Sequence, residues 1–371
     1  MTKIKRIVKR LLLFVLFVLF TVLLSLNITI NFYQKAETNN DYSNWMYETL
    51  SSDKRIIDIA MLGAHDAFTH QIKYSSETDF LTAATIQTGF TGALIKGFSV
   101  KQSKTQVSPV TELLEHGVRY FDIRLTYHAK GDVWMTSHTY FSTPFDEVLA
   151  DINTFLADHP GEFLILDLQH VNGVDYSSTE KFNEIVTLFD ESNVLSYAYQ
   201  EEIKPLNQIT YGDVTGNKTR SGVIILSKFI ESNPSFWYYG DAIRSNWANT
   251  DSETNLYEFL SEEASYIASG TAKTGNQIPD YEGISSLNGF RVMQSVLTMQ
   301  MNGEGIIEAI SSWSLLAKAR KFNPELIKHE DFPVWLHSMP IVMVDYSDSN
   351  YLGFNDEIMQ IVIEFNENTD I

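Results

Sequence analysis

From Arg55 onwards, short continuous apolar runs alternate with segments of helical periodicity, and this alternation restricts the possible folds more than any other feature. The run FLILDLQHV (163–171), for example, follows a stretch over 145–161 whose apolar side chains recur at helical spacing. Strands that are apolar on both faces belong to parallel sheets covered by helices on each side. We therefore predict an α/β fold, and the number of such runs favours a closed, irregular (β/α) TIM-like barrel over an open sheet.

The runs and the periodic segments give a provisional map of the elements. The predicted strands cover residues 55–62, 118–127, 134–139, 163–171, 222–229, 290–298 and 341–347. The predicted helices cover 108–117 and 145–161 and lie near 178–191, 252–268, 304–320 and 354–365. No stretch between 55 and 371 has the composition of a domain linker, so we predict one barrel domain over 55–371.

The N-terminus has the pattern of a membrane signal. Residues 1–10 contain five basic side chains, and residues 11–34 carry no charge and begin with LLLFVLFVLFTVLLSL. Since about 20 helical residues cross the hydrocarbon layer, we predict a transmembrane anchor over 11–34 and a tether over 35–54. The basic residues place 1–10 in the cytoplasm and the domain outside it. The alternative is a cleaved signal peptide and a secreted domain.

Charge and cysteine content exclude several classes of partner and site. The chain has 47 acidic and 27 basic residues and a net charge of −20. Nucleic acids require basic surfaces, so we predict no nucleic-acid partner. Attraction to anionic lipid by charge alone is excluded for the same reason. The chain contains no Cys, which excludes disulfides, thiolate metal sites and a Cys nucleophile.

Polar side chains gather at the ends of the first four predicted strands. They are His65, Asp66, Asp122, Arg124, His138, Asp167, Gln169 and His170. In a barrel, the C-terminal strand ends form the rim of the active site, so these side chains should converge. Two imidazoles can serve as general base and general acid, and a guanidinium matches the geometry of a phosphodiester. The set therefore suits phosphodiester cleavage, which depends on positioning and charge stabilisation.

The segments that carry these residues resemble a known family. LGAHDAF (62–68), GVRYFDIR (117–124), WMTSHTYF (134–141) and HPGEFLILDLQH (159–170) resemble the X domain of phosphatidylinositol-specific phospholipase C. The likeness is to the bacterial enzymes and the X-domain-only proteins of the phospholipase-C-like phosphodiesterase superfamily, and it covers roughly residues 45–355. The resemblance implies an irregular (β/α) barrel, in agreement with the strand pattern.

The resemblance implies a role for each of three residues. His65 matches the general base that takes the proton from the inositol 2-hydroxyl. Attack of that hydroxyl on phosphorus expels diacylglycerol and gives a cyclic inositol phosphate. His138 matches the general acid that protonates the leaving oxygen, and Arg124 matches the phosphate-binding Arg.

Three carboxylates complete the implied catalytic set. Asp66 matches the carboxylate near the acid, Asp122 lies beside Arg124, and Asp345 takes the place of the carboxylate that orients the base. In calcium-dependent relatives an acidic residue takes the place of Arg124. A fixed guanidinium there would repel Ca²⁺, so we predict no metal and no cofactor.

The substrate-binding positions depart from the bacterial pattern. Bacterial enzymes tend to have a Lys near the position of Gln169, whose amide cannot supply that charge. Lys228, at the end of the strand predicted over 222–229, could compensate. Our substrate-binding candidates are therefore Gln169, Lys228 and Trp247, the last within NWANT (246–250). We interpret Asp167 and His170 as hydrogen-bonded wall residues rather than catalysts.

Three functions remain open on the sequence alone. The first is a membrane-anchored extracytoplasmic phospholipase C acting on an inositol phospholipid. The second is the same fold acting on another phosphodiester, such as a glycerophosphodiester or a lipid-linked glycan. The third is a degenerate X domain that binds lipid or glycan without turnover. The presence of His65, Arg124 and His138 favours catalysis, and the absence of a Lys near Gln169 keeps the binding function open.

Overall fold

The computed structural model forms two compact units, Met1–Thr38 and Asn39–Ile371. It describes residues 5, 6, 8–18, 21, 39–79, 89–200, 204–230, 233–269, 288–300 and 314–368. In the first unit, residues 8–18 are helical and their side chains are exposed. No helix among the described residues has both the length and the apolar character needed to span a membrane. Residues 19, 20 and 22–34 of the predicted anchor lie outside the described residues.

The described residues of the second unit form one ten-stranded sheet with helices around it. The strands are β1 (Met61–Ala64), β2 (Val118–His128), β3 (Val133–His138), β4 (Tyr140–Pro144), β5 (Phe163–Asn172), β6 (Gly222–Ser227), β7 (Phe236–Tyr238), β8 (Ile243–Arg244), β9 (Phe290–Gln294) and β10 (Ile341–Val344). The helices are α1 (Trp45–Thr49), α2 (Gly89–Ser103), α3 (Val110–Glu115), α4 (Phe145–Asp158), α5 (Thr179–Glu191), α6 (Tyr211–Thr215), α7 (Tyr239–Ala242), α8 (Glu253–Ala268), α9 (Leu315–Leu326), α10 (Phe332–Ser338) and α11 (Phe354–Asn368). Most of the helix predicted over 304–320 lies outside the described residues.

Eight of the strands form a parallel sheet that curls on itself. Their order is β7-β6-β5-β2-β1-β10-β9-β8. The two outermost strands are consecutive in sequence and are joined only by α7, whose four residues span about 6 Å. The sheet must therefore curl until its two edges approach each other. No strand pairing within the described residues joins β7 to β8, so this part of the chain forms a curled half-barrel instead of the predicted closed barrel.

The core fills both faces of this sheet. Every residue of β1, β6 and β10 is buried, as the continuous apolar runs predict. Helix α4 turns its apolar stripe, which includes Phe145 and Ile152, towards the same core. Trp45 and Met46 of α1 are also buried in it. Residues 39–54, which we predicted to belong to a tether, are thus part of the compact unit.

Two predicted strands differ from the structure in ways that bear on the site. β3 runs antiparallel to β2 and pairs with β4 on its other side, so it is not one of the parallel barrel strands. The last four residues of β2 pair with β3, which brings the chain back towards the rim of the sheet. The first strand is shorter than predicted, because residues Ile56–Asp58 form a 3₁₀ turn before β1 begins at Met61.

Candidate active site

The ends of four strands meet at one site. His65 directly follows β1 and Asp345 directly follows β10, and these two strands are paired in parallel. Arg124 lies on β2, the neighbour of β1 on its other side, and His138 ends β3. The structure brings all six predicted catalytic residues together: His65, Asp66, Asp122, Arg124, His138 and Asp345.

His65 is held between three carboxylates. Its Nδ1 lies 2.7 Å from Oδ1 of Asp345. Because an ionised carboxylate only accepts hydrogen bonds, Nδ1 carries the proton, and Nε2 faces Asp66 at 3.5 Å and Asp122 at 3.9 Å. Burial by itself lowers the pKa of His65, but the three carboxylates outweigh burial and raise this pKa to about 9.

Asp66 is the centre of the charge network. Its carboxylate pairs with Nε of Arg124, and its Oδ2 lies 3.3 Å from Nδ1 of His138. Burial favours the neutral acid, but Arg124 and the two imidazoles hold the pKa of Asp66 well below its usual range. The residue adopts φ of +40°, and its backbone N–H donates to Oδ2 of Asp122 at 3.1 Å. Arg124 therefore pairs with Asp66 across the site and not with Asp122 on its own strand.

Beneath this network lies a second layer of acids. Asp122 is in register with Asp167 on β5, and both side chains are buried. The hydroxyl of Tyr120 donates to Oδ2 of Asp167 at 2.6 Å. Burial and the Asp122 carboxylate raise the pKa of Asp167 to about 8. Burial and the Asp66 carboxylate likewise raise the pKa of Asp122.

His138 faces the site from the antiparallel strand. Its Nδ1 lies 3.0 Å from the carbonyl oxygen of Ser103, which only accepts, so Nδ1 carries the proton and Nε2 remains available for a substrate. Burial lowers the pKa of His138; the Asp66 carboxylate opposes this, and the Arg124 guanidinium adds to it. Sequence reasoning missed Ser103, whose only signal is the polar run QSKTQ (102–106), in which α2 ends.

A β-bulge decides which side chain of β5 lies beside Arg124. The register passes from Ile123 opposite Leu168 to Arg124 opposite His170, so Gln169 is the extra residue. Gln169 is buried, whereas His170 is exposed. We predicted a hydrogen-bonded wall residue at His170. That prediction is wrong for the described part of the chain, since the residue is exposed and its side chain makes no hydrogen bond there.

Of the remaining two substrate-binding candidates, Lys228 lies near the buried acids Asp122 and Asp167, whereas Trp247 contacts Thr298. Nζ of Lys228 lies 4.1 Å from the centre of the Tyr239 ring. Burial lowers the pKa of Lys228, while the nearby Asp167 and Asp122 carboxylates oppose that change, so its ammonium lies close to the acid layer. Trp247 is 42% exposed, and its Nε1 donates to Oγ1 of Thr298 at 2.8 Å, not to a predicted catalytic residue.

Three groups of the site have the spacing of metal ligands. The ligand atoms of His65, Asp66 and Asp122 lie within 4.8 Å of one another. Ca²⁺ requires about six to eight oxygen ligands, whereas one of these groups is an imidazole and Asp66 is already paired with Arg124. The residues present therefore do not fit a calcium site.

Comparison with known proteins shows which family this chain is similar to. Residues 78–206 match the family model of the phosphatidylinositol-specific phospholipase C X domain. The predicted resemblance to the X-domain family is confirmed. Variant-surface-glycoprotein phospholipase C of Trypanosoma brucei brucei is 34% identical over 149 residues, which cover 37% of this chain and 42% of that protein. PI-PLC X domain-containing protein 3 of Mus musculus is 25% identical over 225 residues, which cover 59% of this chain and 68% of that protein.

The X-domain fold is also found among solved structures. The phosphatidylinositol-specific phospholipase C from Listeria monocytogenes superposes with a TM-score of 0.53 and 16% sequence identity. The superposition covers 88% of this chain and 99% of the Listeria chain. At this identity the likeness establishes the shared TIM-like fold.

Proposed function

We propose that this chain is a phospholipase C-type phosphodiesterase that cleaves an inositol phospholipid into diacylglycerol and a cyclic inositol phosphate without a metal ion. The observation that carries the proposal is the His65–Asp345 pair, whose side chains lie 2.7 Å apart. The Asp66 carboxylate contacts His65 and also contacts Arg124 and His138. An imidazole fixed at one nitrogen and available at the other suits a general base, and a guanidinium suits a phosphate. The related trypanosome and Listeria proteins are named phospholipases C, which favours the same reaction class here.

The geometry supports a two-imidazole mechanism. Neutral His65 accepts the proton of the inositol 2-hydroxyl at Nε2, and that oxygen forms a bond to phosphorus. The bond between phosphorus and the diacylglycerol oxygen breaks, and cationic His138 gives this oxygen its Nε2 proton. Arg124 turns from Asp66 to the non-bridging phosphate oxygens and stabilises the charge that develops there. Asp345 stabilises the cationic form of His65.

We also propose that residues 11–34 anchor the enzyme and that the domain lies outside the cytoplasm. The exposed apolar side chains of residues 11–18 support the anchor, and the basic residues within 1–10 support the orientation. Protease treatment of intact cells that express a C-terminally tagged chain tests it. Loss of the tag is expected, and a protected tag would contradict the location. Tagged protein released into the medium would indicate cleavage and secretion.

A lipid panel tests the reaction. Detergent-solubilised full chain is incubated with phosphatidylinositol, phosphatidylcholine or glycerophosphoinositol, with and without EDTA. We expect a cyclic inositol phosphate from phosphatidylinositol in both conditions. A different water-soluble phosphate ester would indicate another phosphodiester substrate. Binding of lipid without any product would indicate a degenerate domain, and activity lost in EDTA and restored by Ca²⁺ would refute metal independence.

The two proposed proton-transfer residues are tested by substitution. His65→Ala and His138→Ala should each lower kcat by about 10²–10⁴-fold, because each removes a proton-transfer group. The exposed His337 on α10 lies outside the site, so His337→Ala serves as the matched control with parental kcat. Near-parental kcat in either site variant would remove that residue from the proposed pair.

A further inference from the structure

A buried carboxamide lies between the two chain segments that carry the proposed base and its carboxylate. Gln106 is fully buried and follows α2. Its Nε2 donates to the carbonyl oxygens of His65 at 3.1 Å and Val344 at 3.2 Å. Its Oε1 accepts from the backbone N–H of Ser347 at 3.1 Å and from the hydroxyl of the same residue at 3.2 Å. Both donors and both lone pairs of the amide are used, so the side chain is fixed.

The neighbours of Gln106 reach the other groups of the site. The carbonyl oxygen of Ser103 accepts from Nδ1 of His138 at 3.0 Å. The hydroxyl of Thr105 donates to the carbonyl oxygen of Asp66 at 2.8 Å. Residues 103–106, here called the strap, therefore bond to the backbone of His65, to the backbone of Asp66 and to the ring of His138.

The strap lies where the backbone ladder of the sheet stops. The β1–β10 register ends at Ala64 opposite Val344, and the N–H of His65 makes one further bond to Val344. Beyond this point the two segments have no ladder to hold them against the twist of the sheet. Gln106 continues the connection, because its amide binds the His65 segment on one side and the Ser347 segment on the other.

We propose that Gln106 is a positioning residue that sets the geometry of the His65–Asp345 pair by linking the chain just beyond β1 to the chain just beyond β10. The inference rests on the proposed role of His65 as the base. Errors of about 1 Å in the placement of reacting groups reduce rates by about 10²-fold. A side chain that fixes the segments of both residues therefore acts on turnover without touching the substrate.

The chain offers a matched control at the opposite end of β1. Asn366 on α11 is 3% exposed, and its carboxamide hydrogen-bonds to the backbone just before β1. Its Nδ2 donates to the carbonyl oxygen of Ala60 at 2.8 Å, and its Oδ1 accepts from the N–H of Ala60 at 3.0 Å. Loss of either carboxamide should weaken the packing of β1, but only Gln106 reaches the base.

The experiment compares Gln106→Met with Asn366→Leu in the detergent-solubilised full chain. Both variants keep side-chain size, and both should melt below the parent. Gln106→Met should lower kcat by about 10–100-fold with little change in KM. NMR of the ¹⁵N-labelled imidazoles should show a lower pKa for His65, because its contact with Asp345 is loosened. Asn366→Leu should leave kcat and the titration of His65 unchanged.

Two results would overturn the proposal. One is parental kcat and a parental His65 titration in Gln106→Met. The other is an equal loss of kcat in both variants, which would mean a purely structural role. If Gln106→Met does not fold, Ser347→Ala removes a single bond of the amide, and unchanged kcat and titration there would equally refute the proposal. If the parent does not turn over, the proposed function fails, while the NMR comparison still decides the positioning role.

Discussion

Three carboxylates keep the imidazole of His65 charged at neutral pH, since they raise its pKa to about 9. The proposed base must be neutral, so about one molecule in a hundred is ready at pH 7. His138 has the opposite difficulty, because burial lowers its pKa and the proposed acid must be charged. Between the pKa of His138 and the pKa of His65, a rise in pH increases the fraction of neutral His65 and decreases the fraction of charged His138 by the same factor. The product of the two fractions does not change, so kcat/KM should be constant over this range of pH. The alkaline limb of the profile of kcat/KM against pH then reports the pKa of His65.

Replacement of the orienting carboxylate tests this assignment. In Asp345→Asn one of the three charges that raise the pKa of His65 is lost, so that pKa falls. The alkaline limb of kcat/KM should move to lower pH while the acidic limb stays in place. Asp348, which lies 3.5 Å from His116, provides the control variant Asp348→Asn with a parental profile. A shift confined to the acidic limb would mean that the acidic limb reports the pKa of His65. That result would refute the assignment of the alkaline limb to His65.

At the scale of elements, the bulge in the β2–β5 pairing has the largest consequence for substrate binding. Regular alternation along β5 places Asp167 and Gln169 on one face and His170 on the other. The bulge instead sets His170 opposite Arg124 and leaves Gln169 buried. An exposed imidazole beside the proposed phosphate-binding guanidinium can hydrogen-bond a hydroxyl of the head group.

Substitution of His170 and of Gln169 tests which of the two side chains contacts the substrate. His170→Ala should raise KM for phosphatidylinositol by about tenfold, the value of one hydrogen bond, with kcat nearly unchanged. Gln169→Ala should instead lower the melting temperature and leave KM near the parental value, because its side chain is buried. Steady-state kinetics and thermal melts on the same preparations measure both quantities. A raised KM in Gln169→Ala with a parental KM in His170→Ala would mean that Gln169 contacts the substrate, as the sequence analysis predicted.

At the scale of the whole molecule, the sequence predicted what local patterns determine. The apolar runs predicted β5 and β6, because a strand buried on both faces must be apolar throughout. The meeting of His65 with Asp345 was implied by the family resemblance alone, and the parallel pairing of β1 with β10 accounts for it. The strap could not be predicted, because Gln106 bonds to Val344, 238 positions away, and no periodicity records such a contact. The bulge and the antiparallel direction of β3 depend on pairing partners in the same way.

The site also governs how the stability of the whole domain changes with pH. The pKa of His65 is about 9 in the folded chain against an ordinary value of 6.5, and that of Asp167 is about 8 against 3.8. Each group therefore binds more protons in the folded than in the unfolded chain between pH 7 and its folded pKa. By linkage, the free energy of unfolding falls as pH rises through this window. The stabilisation from His65 is complete below pH 6.5 and is lost through pH 9.

We therefore expect the melting temperature of the detergent-solubilised full chain to fall by a few degrees between pH 7 and pH 9. In Asp167→Asn the fall should be smaller, because the amide does not titrate but its oxygen still accepts the Tyr120 hydrogen bond. Asp158→Asn, at the exposed end of α4, should keep the parental dependence. Thermal melts at half-unit intervals of pH measure all three. A melting temperature that rises from pH 7 to pH 9, or an equal fall in Asp167→Asn, would mean that the buried acid layer does not hold the extra proton.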